Sequence, residues 1–154
     1  MHGPQGPRNV LYNSDIESSW DGLAMRGGNK DWIIAYNRFL VHEGPGVLMR
    51  LGSSGHQIHK NVFILQKSNG TTGQAERKLE HVAGAAIVFQ TPDCVNVSLS
   101  ENHVYGTEVL TEGTPTSTRK EGNQLSKTIP DPLPGPPTAV VPSIYEWQMN
   151  RAGL

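Results

Sequence analysis

Several features that often assign a function are scarce in this sequence. Among its 154 residues there is one cysteine, Cys94, which excludes an intrachain disulfide framework and a multi-cysteine zinc site. The formal net charge is −1, so no general attraction for nucleic acid or for an acidic membrane surface is expected. No apolar run is long enough to span a membrane, and the first residues carry no signal pattern of a charged segment followed by an apolar one.

What the sequence has instead is a repeat. Residues 22–28 are matched by residues 46–52 at a constant spacing of 24 positions. A fixed period in this range indicates a repeat architecture, in which matched positions stack in space. We therefore expect the two arginines of the motif Gly-x-x-x-Arg-x-Gly to be neighbours. The matched pairs are Gly22 with Gly46, Leu23 with Val47, Met25 with Met49, Arg26 with Arg50, and Gly28 with Gly52.

A second feature repeats with the same period. Asn13, Asn37, Asn61 and Asn102 each close a short β-type run, at spacings of 24, 24 and 41 residues. The last spacing predicts one coil that carries 17 additional residues. An asparagine at a fixed turn can adopt a left-handed conformation and bond to its counterparts above and below. These four positions therefore predict an asparagine ladder.

Together the two repeats predict an all-β fold. It is a single-stranded, right-handed parallel β-helix, or β-solenoid, of about four coils with a 24-residue period. A helical fold is disfavoured because the β-branched runs are short and are broken by Gly, Pro and Asn. A β-sandwich would also give short strands, but it has no reason to keep a constant 24-residue register.

The same reading divides the chain into three parts. Residues 1–8 form a flexible lead-in, residues 9–106 the solenoid, and residues 107–154 an extended tail rich in Pro, Gly and Thr. An insertion is predicted at about 66–82, and insertions into solenoid coils project from one face, which is often the binding face. Residues 144–149 are apolar enough to cap the open end of the solenoid or to pack along its flank.

The matched arginines are the candidate functional residues. Strand alternation places Met25 and Met49 inside the solenoid, so Arg26 and Arg50 face solvent. Like charges at the strand spacing of about 4.8 Å repel each other, and water, carboxylates or an anionic ligand must compensate. Alignment of Ile87 and Phe89 with Val47 and Met49 adds Gln90 to this column, whereas counting back from Asn102 gives Thr91, so both assignments stay open.

Other polar residues are close to the arginines in sequence. His42, His59 and Lys60 join Gln90 as candidate substrate-binding residues, and Asp21, Glu17 and Glu43 are candidate metal ligands. One interpretation is a shallow groove for an acidic sugar chain. The alternative is a solvated surface of ion pairs, which are common on proteins and contribute little to stability.

At these residues the sequence resembles a known family. The elements are an acidic-x-x-x-x-basic pattern, a strand ending in Asn-x-Phe, and the motif Gly-x-x-x-Arg-x-Gly. The whole is similar to the alginate lyase and chondroitinase B group of pectate-lyase-like, right-handed β-helix polysaccharide lyases. The matching residues are 21–26, 36–39, 46–52 and 58–63.

The resemblance implies a reaction and a location. In that family a lysine removes the C5 proton of a uronate, an arginine assists, and Ca²⁺ bound by carboxylates neutralises the substrate acid group. Arg50 matches the catalytic arginine, Asp21 matches a calcium-binding carboxylate, and Arg26 stands where the family has its lysine. Guanidinium holds its proton too tightly to act as an ordinary base, so the base would be a displaced residue such as His59, Lys60 or His42. An extracellular or periplasmic location is implied as well.

Two functions follow as hypotheses. The first is a diverged, lyase-like protein that binds an acidic, uronate-containing polysaccharide or cleaves it by β-elimination, with Arg50 and Arg26 as catalytic residues. The second is a non-catalytic carbohydrate-binding or surface module, which could oligomerise and could be a fragment of a longer protein. Neither hypothesis involves nucleic acid or a membrane.

Overall fold

The computed structural model describes residues 9–66 and 84–138, and every regular element among them is a β-strand. The strands are β1 (Asn9–Tyr12), β2 (Asp15–Ser18), β3 (Leu23–Met25), β4 (Trp32–Ala35), β5 (Arg38–Val41), β6 (Val47–Met49), β7 (Gln57–His59), β8 (Val62–Leu65), β9 (Ala85–Phe89), β10 (Ser98–Ser100), β11 (His103–Tyr105), β12 (Val109–Glu112), β13 (Arg119–Glu121) and β14 (Gln124–Ser126).

The strands form three sheets in which all paired strands are parallel. Sheet A has the order β1-β4-β7-β10-β13, sheet B the order β2-β5-β8-β11-β14, and sheet C the order β3-β6-β9-β12. Each coil adds one strand to each sheet, so four coils are complete and a fifth contributes two strands. The predicted parallel β-solenoid with a period of roughly 24 residues is confirmed.

The interior is filled by aliphatic and aromatic columns that recur from coil to coil. Strand alternation turns every second side chain inward, and the register keeps like residues in line. Phe39 pairs with Phe63 in sheet B, and their rings stack with centroids 5.0 Å apart and planes 9° apart. In sheet A the inward column is Leu11, Ile34, Ile58 and Leu99.

The asparagine ladder is present, with its ends shifted from the predicted positions. The Asn37, Asn61 and Asn102 side chains bond to one another across the coils at 3.0 Å, and Asn123 adds a further rung. Asn13 is not a rung, because the register of β1 and β4 places Ser14 opposite Asn37. The prediction that Asn13 belongs to the ladder is therefore wrong by one residue.

The left-handed conformation falls one position before each rung. The residues at this position all have positive φ: Asn13 (52°), Tyr36 (56°), Lys60 (56°), Glu101 (53°) and Gly122 (67°). The prediction that the ladder asparagines are left-handed is therefore wrong. The chain bends at the preceding residue, and that bend directs the asparagine amide into the coil, where it is buried.

The sheets continue through Ser126, about one coil beyond residue 106, where the sequence placed the end of the solenoid. The polar composition after Thr107 suggested a tail. However, the hydrogen bonds between paired strands join backbone groups and do not require apolar side chains. Residues 127–138 then contain no strand or helix. They return along the outer face of sheet B: Ile129 packs on a cluster containing Leu40 and Ile64, and the Pro134 carbonyl accepts a hydrogen bond from Arg38 at 3.2 Å.

Three predicted segments lie outside the described residues, namely the lead-in at 1–8, nearly all of the insertion, and the apolar stretch at 144–149. Within residues 9–66 and 84–138, no helix is long and apolar enough to cross a membrane.

Candidate functional site

Each coil turns at three corners, and the candidate residues are distributed among them. The corner between sheets C and A, called the C–A corner here, comprises residues 26–31, 50–56, 90–97 and 113–118. Arg26, Arg50 and Gln90 lie at this corner. His42, Asp21 and Glu43 lie at the B–C corner with Glu17 on the adjoining strand, and His59 and Lys60 lie at the A–B corner.

At the C–A corner Arg26, Arg50 and Gln90 form a column. The backbone N–H of Arg50 donates to the Met25 carbonyl at 3.1 Å, and that of Gln90 donates to the Met49 carbonyl at 2.8 Å. Arg50 Nη1 also donates to Gln90 Oε1 at 3.3 Å. The two arginines are thus neighbours across one strand spacing, and the amide of Gln90 occupies the third position.

The strand register shows which of Gln90 and Thr91 lies in the column with Arg50. The spacing between coils is 40 residues in sheet C, from Val47 to Ile87, but 41 in sheet A, from Gln57 to Ser98. The extra residue therefore lies in the C–A corner, after β9, and only Gln90 stacks on Arg50. Thr91 instead accepts a hydrogen bond from the backbone N–H of Leu51 at 2.8 Å.

The glycines of the repeated motif have packing explanations. A Cβ on Gly46 would lie 2.2 Å from the ring of Phe63, and one on Gly22 would lie 2.8 Å from the ring of Phe39. Gly52 has φ of 74°, in the left-handed region that favours glycine. The fold thus accounts for the glycines of Gly-x-x-x-Arg-x-Gly and leaves the arginines without a structural reason.

The cations of this corner have no counter-ions in the part of the chain that the structure describes. No acidic side chain of the described residues pairs with Arg26, Lys30 or Arg50. Arg38 on sheet B is different, because its Nε and Nη2 contact the two carboxylate oxygens of Asp15 at 2.7 and 2.8 Å, and this hydrogen bonding raises the pKa of Arg38. The 24-residue repeat does not indicate Lys30 as a candidate, because Ser54, its partner in the next coil, is not basic.

Unpartnered polar atoms concentrate at the same corner. Among the described residues, three buried side-chain atoms have no hydrogen-bond partner: Trp32 Nε1, Arg50 Nε and Thr118 Oγ1. Arg50 and Thr118 belong to the C–A corner, and Trp32 follows it directly. Because buried polar atoms are normally paired with protein or water, this side of the solenoid has unused hydrogen-bonding capacity.

Two acidic residues, Asp31 and Asp93, lie at this corner, and Asp93 is engaged locally. The Thr91 hydroxyl donates to the Asp93 carboxylate, and this bond, with help from the backbone N–H of Gly52, lowers the pKa of Asp93. Asp93 therefore stabilises the turn that follows Gln90. A carboxylate with a lowered pKa is also a weak base.

His56 has a structural role at this corner. Its ring is fully buried, Nδ1 accepts a hydrogen bond from the Trp32 backbone N–H at 3.1 Å, and Nε2 lies 2.7 Å from Ser53 Oγ. An acceptor Nδ1 requires the proton to be on Nε2, so this histidine is the neutral tautomer that donates to Ser53.

The other candidate residues are engaged at their own corners. At the B–C corner His42 Nε2 contacts Glu17 Oε1 at 3.1 Å, and Asp21 lies against the backbone of Gly44 beside Glu43. No group of three or more His, Cys, Asp or Glu residues that could hold a metal ion is found in the described part of the chain. The calcium site stays a prediction.

At the A–B corner His59 and Lys60 pack with an aromatic ring. Lys60 Nζ lies 5.6 Å from the ring centroid of Tyr36, and the rings of Tyr36 and His59 meet edge to face at 6.4 Å. Burial, with a smaller effect from the charge of Lys60, lowers the pKa of His59. The three displaced bases suggested by the sequence, His42, His59 and Lys60, thus lie at different corners from Arg50.

These observations define a parallel β-solenoid in which Arg26, Lys30 and Arg50 lie at one corner and pair with no acid of the described residues. Comparisons with protein-family models, curated proteins and solved structures find no match for this chain. The fold is therefore the part of the lyase resemblance that is shown, and the resemblance in function rests on the short motifs alone.

Proposed function

We propose that this protein binds an acidic, uronate-containing polysaccharide along its C–A corner without cleaving it. Arg26, Lys30 and Arg50 would meet carboxylates of the sugar chain, and the amide of Gln90 would meet its hydroxyl groups. The observation that carries the proposal is the column of Arg26 and Arg50, which lie one strand spacing apart and have no acidic partner among the described residues.

The repeat geometry suits a polymer better than a single small anion. Successive coils present one polar side chain each at intervals of about 4.8 Å along the solenoid axis. A polysaccharide with acidic groups along its length can follow such a row, and each bond from a charged donor contributes about 1.5–3 kcal/mol. Arginine is well suited to this role because its planar fork binds a carboxylate through two parallel hydrogen bonds.

Binding is favoured over β-elimination by the position of the bases. Elimination needs a base within hydrogen-bond reach of the proton that it removes. The bases suggested by the sequence, His42, His59 and Lys60, are at other corners, and His56, which is at the right corner, uses Nδ1 to hold the backbone of Trp32. Lys30 also lies at this corner; in this proposal it pairs with a carboxylate of the sugar chain, and the absorbance assay below tests it as a base. Asp93 has a lowered pKa, so it is poorly suited to remove a carbon-bound proton.

Titration calorimetry tests the proposed function. The purified chain is titrated with alginate, pectate, chondroitin and dermatan, and with a neutral glucan. We expect binding to at least one acidic polymer and none to the glucan. Arg50→Gln should weaken binding by about 10- to 150-fold, since a lost charged hydrogen bond is worth about 1.5–3 kcal/mol. Lys127→Gln is the matched control, because Lys127 is exposed and already paired with Glu108.

Two results would contradict it. Failure of the folded protein to bind any acidic polymer, or an equal loss in Arg50→Gln and Lys127→Gln, would exclude the C–A corner as the site. An ultraviolet absorbance assay for unsaturated uronate, with and without Ca²⁺, tests whether the protein catalyses β-elimination. A rise that Arg50→Gln abolishes would make the protein a lyase and overturn non-catalytic binding.

A further inference from the structure

We propose that the outer face of sheet A in the first two coils is a docking surface, and that its occupant is the C-terminal segment 139–154 of the same chain. The surface, called the A patch here, is formed by Val10, Tyr12, Ile33, Ala35 and Tyr36. From sequence, the apolar stretch at 144–149 could cap the open end of the solenoid or pack along its flank, and the A patch favours the flank. This docking is independent of what binds at the C–A corner.

The A patch faces away from the interior of the solenoid. Leu11 and Ile34 belong to the inward column of sheet A, so strand alternation turns their neighbours Val10, Ile33 and Ala35 outward. Ile33 and Ala35 accordingly belong to a cluster that is separate from the main core. Contiguous apolar side chains on an outer face mark an interaction surface.

Ile33 is shielded from water although it points outward. It is only 4% exposed, and the register places Val10 on one side of it and Gln57 on the other. These neighbours flank Ile33 within the sheet and do not lie above it. The described members of its cluster all belong to β1, to β4 or to the residue after β4, so they supply no second layer. The shielding of Ile33 therefore requires a cover from outside the cluster.

The apolar character of this face is limited to the first two coils. In the later coils the outward residues of the same two rows are polar, namely Gln57, His59, Ser98, Ser100, Arg119 and Glu121. A cover is therefore needed only over the part of sheet A that β1 and β4 form.

The returning segment brings the chain to the edge of the A patch. Ile129 packs on the outer face of sheet B, in a cluster with Leu40, and further along the Pro134 carbonyl accepts a hydrogen bond from Arg38 Nη1 at 3.2 Å. Arg38 begins β5 in the second coil and is two residues after Tyr36 of the patch. The chain thus reaches the A–B corner at the same coil in which the patch lies.

The segment that follows has the length and the side chains to cover the patch. Residues 135–143 can span up to about 30 Å, which exceeds the length of about 13 Å of a four-residue strand. The stretch 144–149 alternates in polarity, which puts Tyr145, Trp147 and Met149 on one side of an extended chain and Glu146 on the other. Such a segment can bury its apolar side on the patch, as the returning segment buries Ile129 on sheet B.

Photo-cross-linking of the full chain tests the docking. Trp147 is replaced by the photoreactive residue benzoylphenylalanine, and cross-linked peptides are identified by mass spectrometry. We expect cross-links within one chain to residues 9–12 and 32–36. Ile33→Asp should lower their yield by about fivefold or more, because the segment would bury an unpaired carboxylate. Ser98→Asp is the matched control, since Ser98 lies in the same outward row beyond the patch, and it should leave the yield unchanged.

The other outcomes overturn the proposal. Cross-links to Val109 or Leu125 would place the segment at the open end of the solenoid. Cross-links between chains, seen as a dimer on a denaturing gel, would make a second copy the occupant. No cross-links, or equal yields from Ile33→Asp and Ser98→Asp, would mean that the segment does not cover the patch. Circular dichroism checks that each variant is folded, and Val10→Asp, on the outermost strand, replaces Ile33→Asp if that variant does not fold.

Discussion

The A–B and C–A corners are built on the same solenoid backbone but treat polar groups in opposite ways. At the A–B corner the Asn61 side chain donates to the Ile34 carbonyl and to Asn102 Oδ1, and it accepts from Asn37. At the C–A corner Arg50 Nε and Thr118 Oγ1 are buried without partners. Internal hydrogen bonds satisfy the polar groups of the first corner, whereas the second corner leaves these two polar atoms unpaired.

The cations show the same division between the regions of the molecule. Arg38 on sheet B is paired with Asp15 and also contacts the carbonyl of Pro134, so it attaches the returning segment to the solenoid. Arg26 and Arg50 have no such partners among the described residues. Paired polar groups should therefore govern stability, and unpaired ones should govern binding.

The largest expected effect on stability comes from breaking the asparagine ladder at the A–B corner. Asn61→Ala removes the side chain that bonds Ile34 O, Asn37 and Asn102, all of them buried. Each buried polar group left unpaired costs about 1–3 kcal/mol, so we expect the free energy of unfolding in urea to fall by about 3 kcal/mol or more.

Asn123→Ala is the matched control for this change. Asn123 ends the ladder: it accepts from Asn102 and donates to the Leu99 carbonyl but has no following rung among the described residues, and its site is only partly buried, so its loss should cost about 1 kcal/mol. Equal effects of the two substitutions would contradict the view that burial makes the ladder stabilising.

A smaller effect on the free energy of unfolding is expected from protonation of His59, next to the A–B corner. Burial lowers the pKa of His59 in the folded state, whereas the unfolded chain keeps a pKa of about 6.5. Above that pH both states are neutral at His59. As the pH falls through about 6.5 toward the folded pKa, the unfolded state binds more protons and stability is lost. His59→Gln should remove this part of the loss.

Urea unfolding between pH 8 and pH 5 measures the effect. As the pH falls, the free energy of unfolding of the wild type should decrease more than that of His59→Gln. Lys60→Gln should reduce the slope, because the charge of Lys60 is the second cause of the lowered pKa. A constant difference across the range would show that His59 titrates alike in both states.

Much of the fold could be predicted because its determinants repeat. The register of Arg26 with Arg50 and the inward aliphatic columns follow from one 24-residue spacing. The ladder was misplaced at its ends for a physical reason. The residue before each rung must be left-handed, and Asn13 suits that position as well as a rung, whereas Asn123 follows a shorter, 21-residue coil of polar composition.

The candidate site was less accessible from sequence. The arginine column could be predicted because both arginines belong to one repeated motif. Lys30 could not, since Ser54, its partner in the next coil, is not basic. The dispersal of His42 and His59 to other corners was also hidden, because nearness in sequence does not reveal which corner a residue occupies.

The smallest expected effect is on the stability of the unsatisfied corner. Like charges opposite each other on parallel strands destabilise by roughly 0.2–1 kcal/mol, so Arg26→Gln should slightly raise the free energy of unfolding at low salt and lose that gain at high salt. Arg38→Gln, which breaks a paired cation, should instead lower it by about 0.5–1 kcal/mol. If Arg26→Gln destabilised the protein as Arg38→Gln does, the arginine column would belong to the scaffold, and its lack of counter-ions would no longer indicate a ligand.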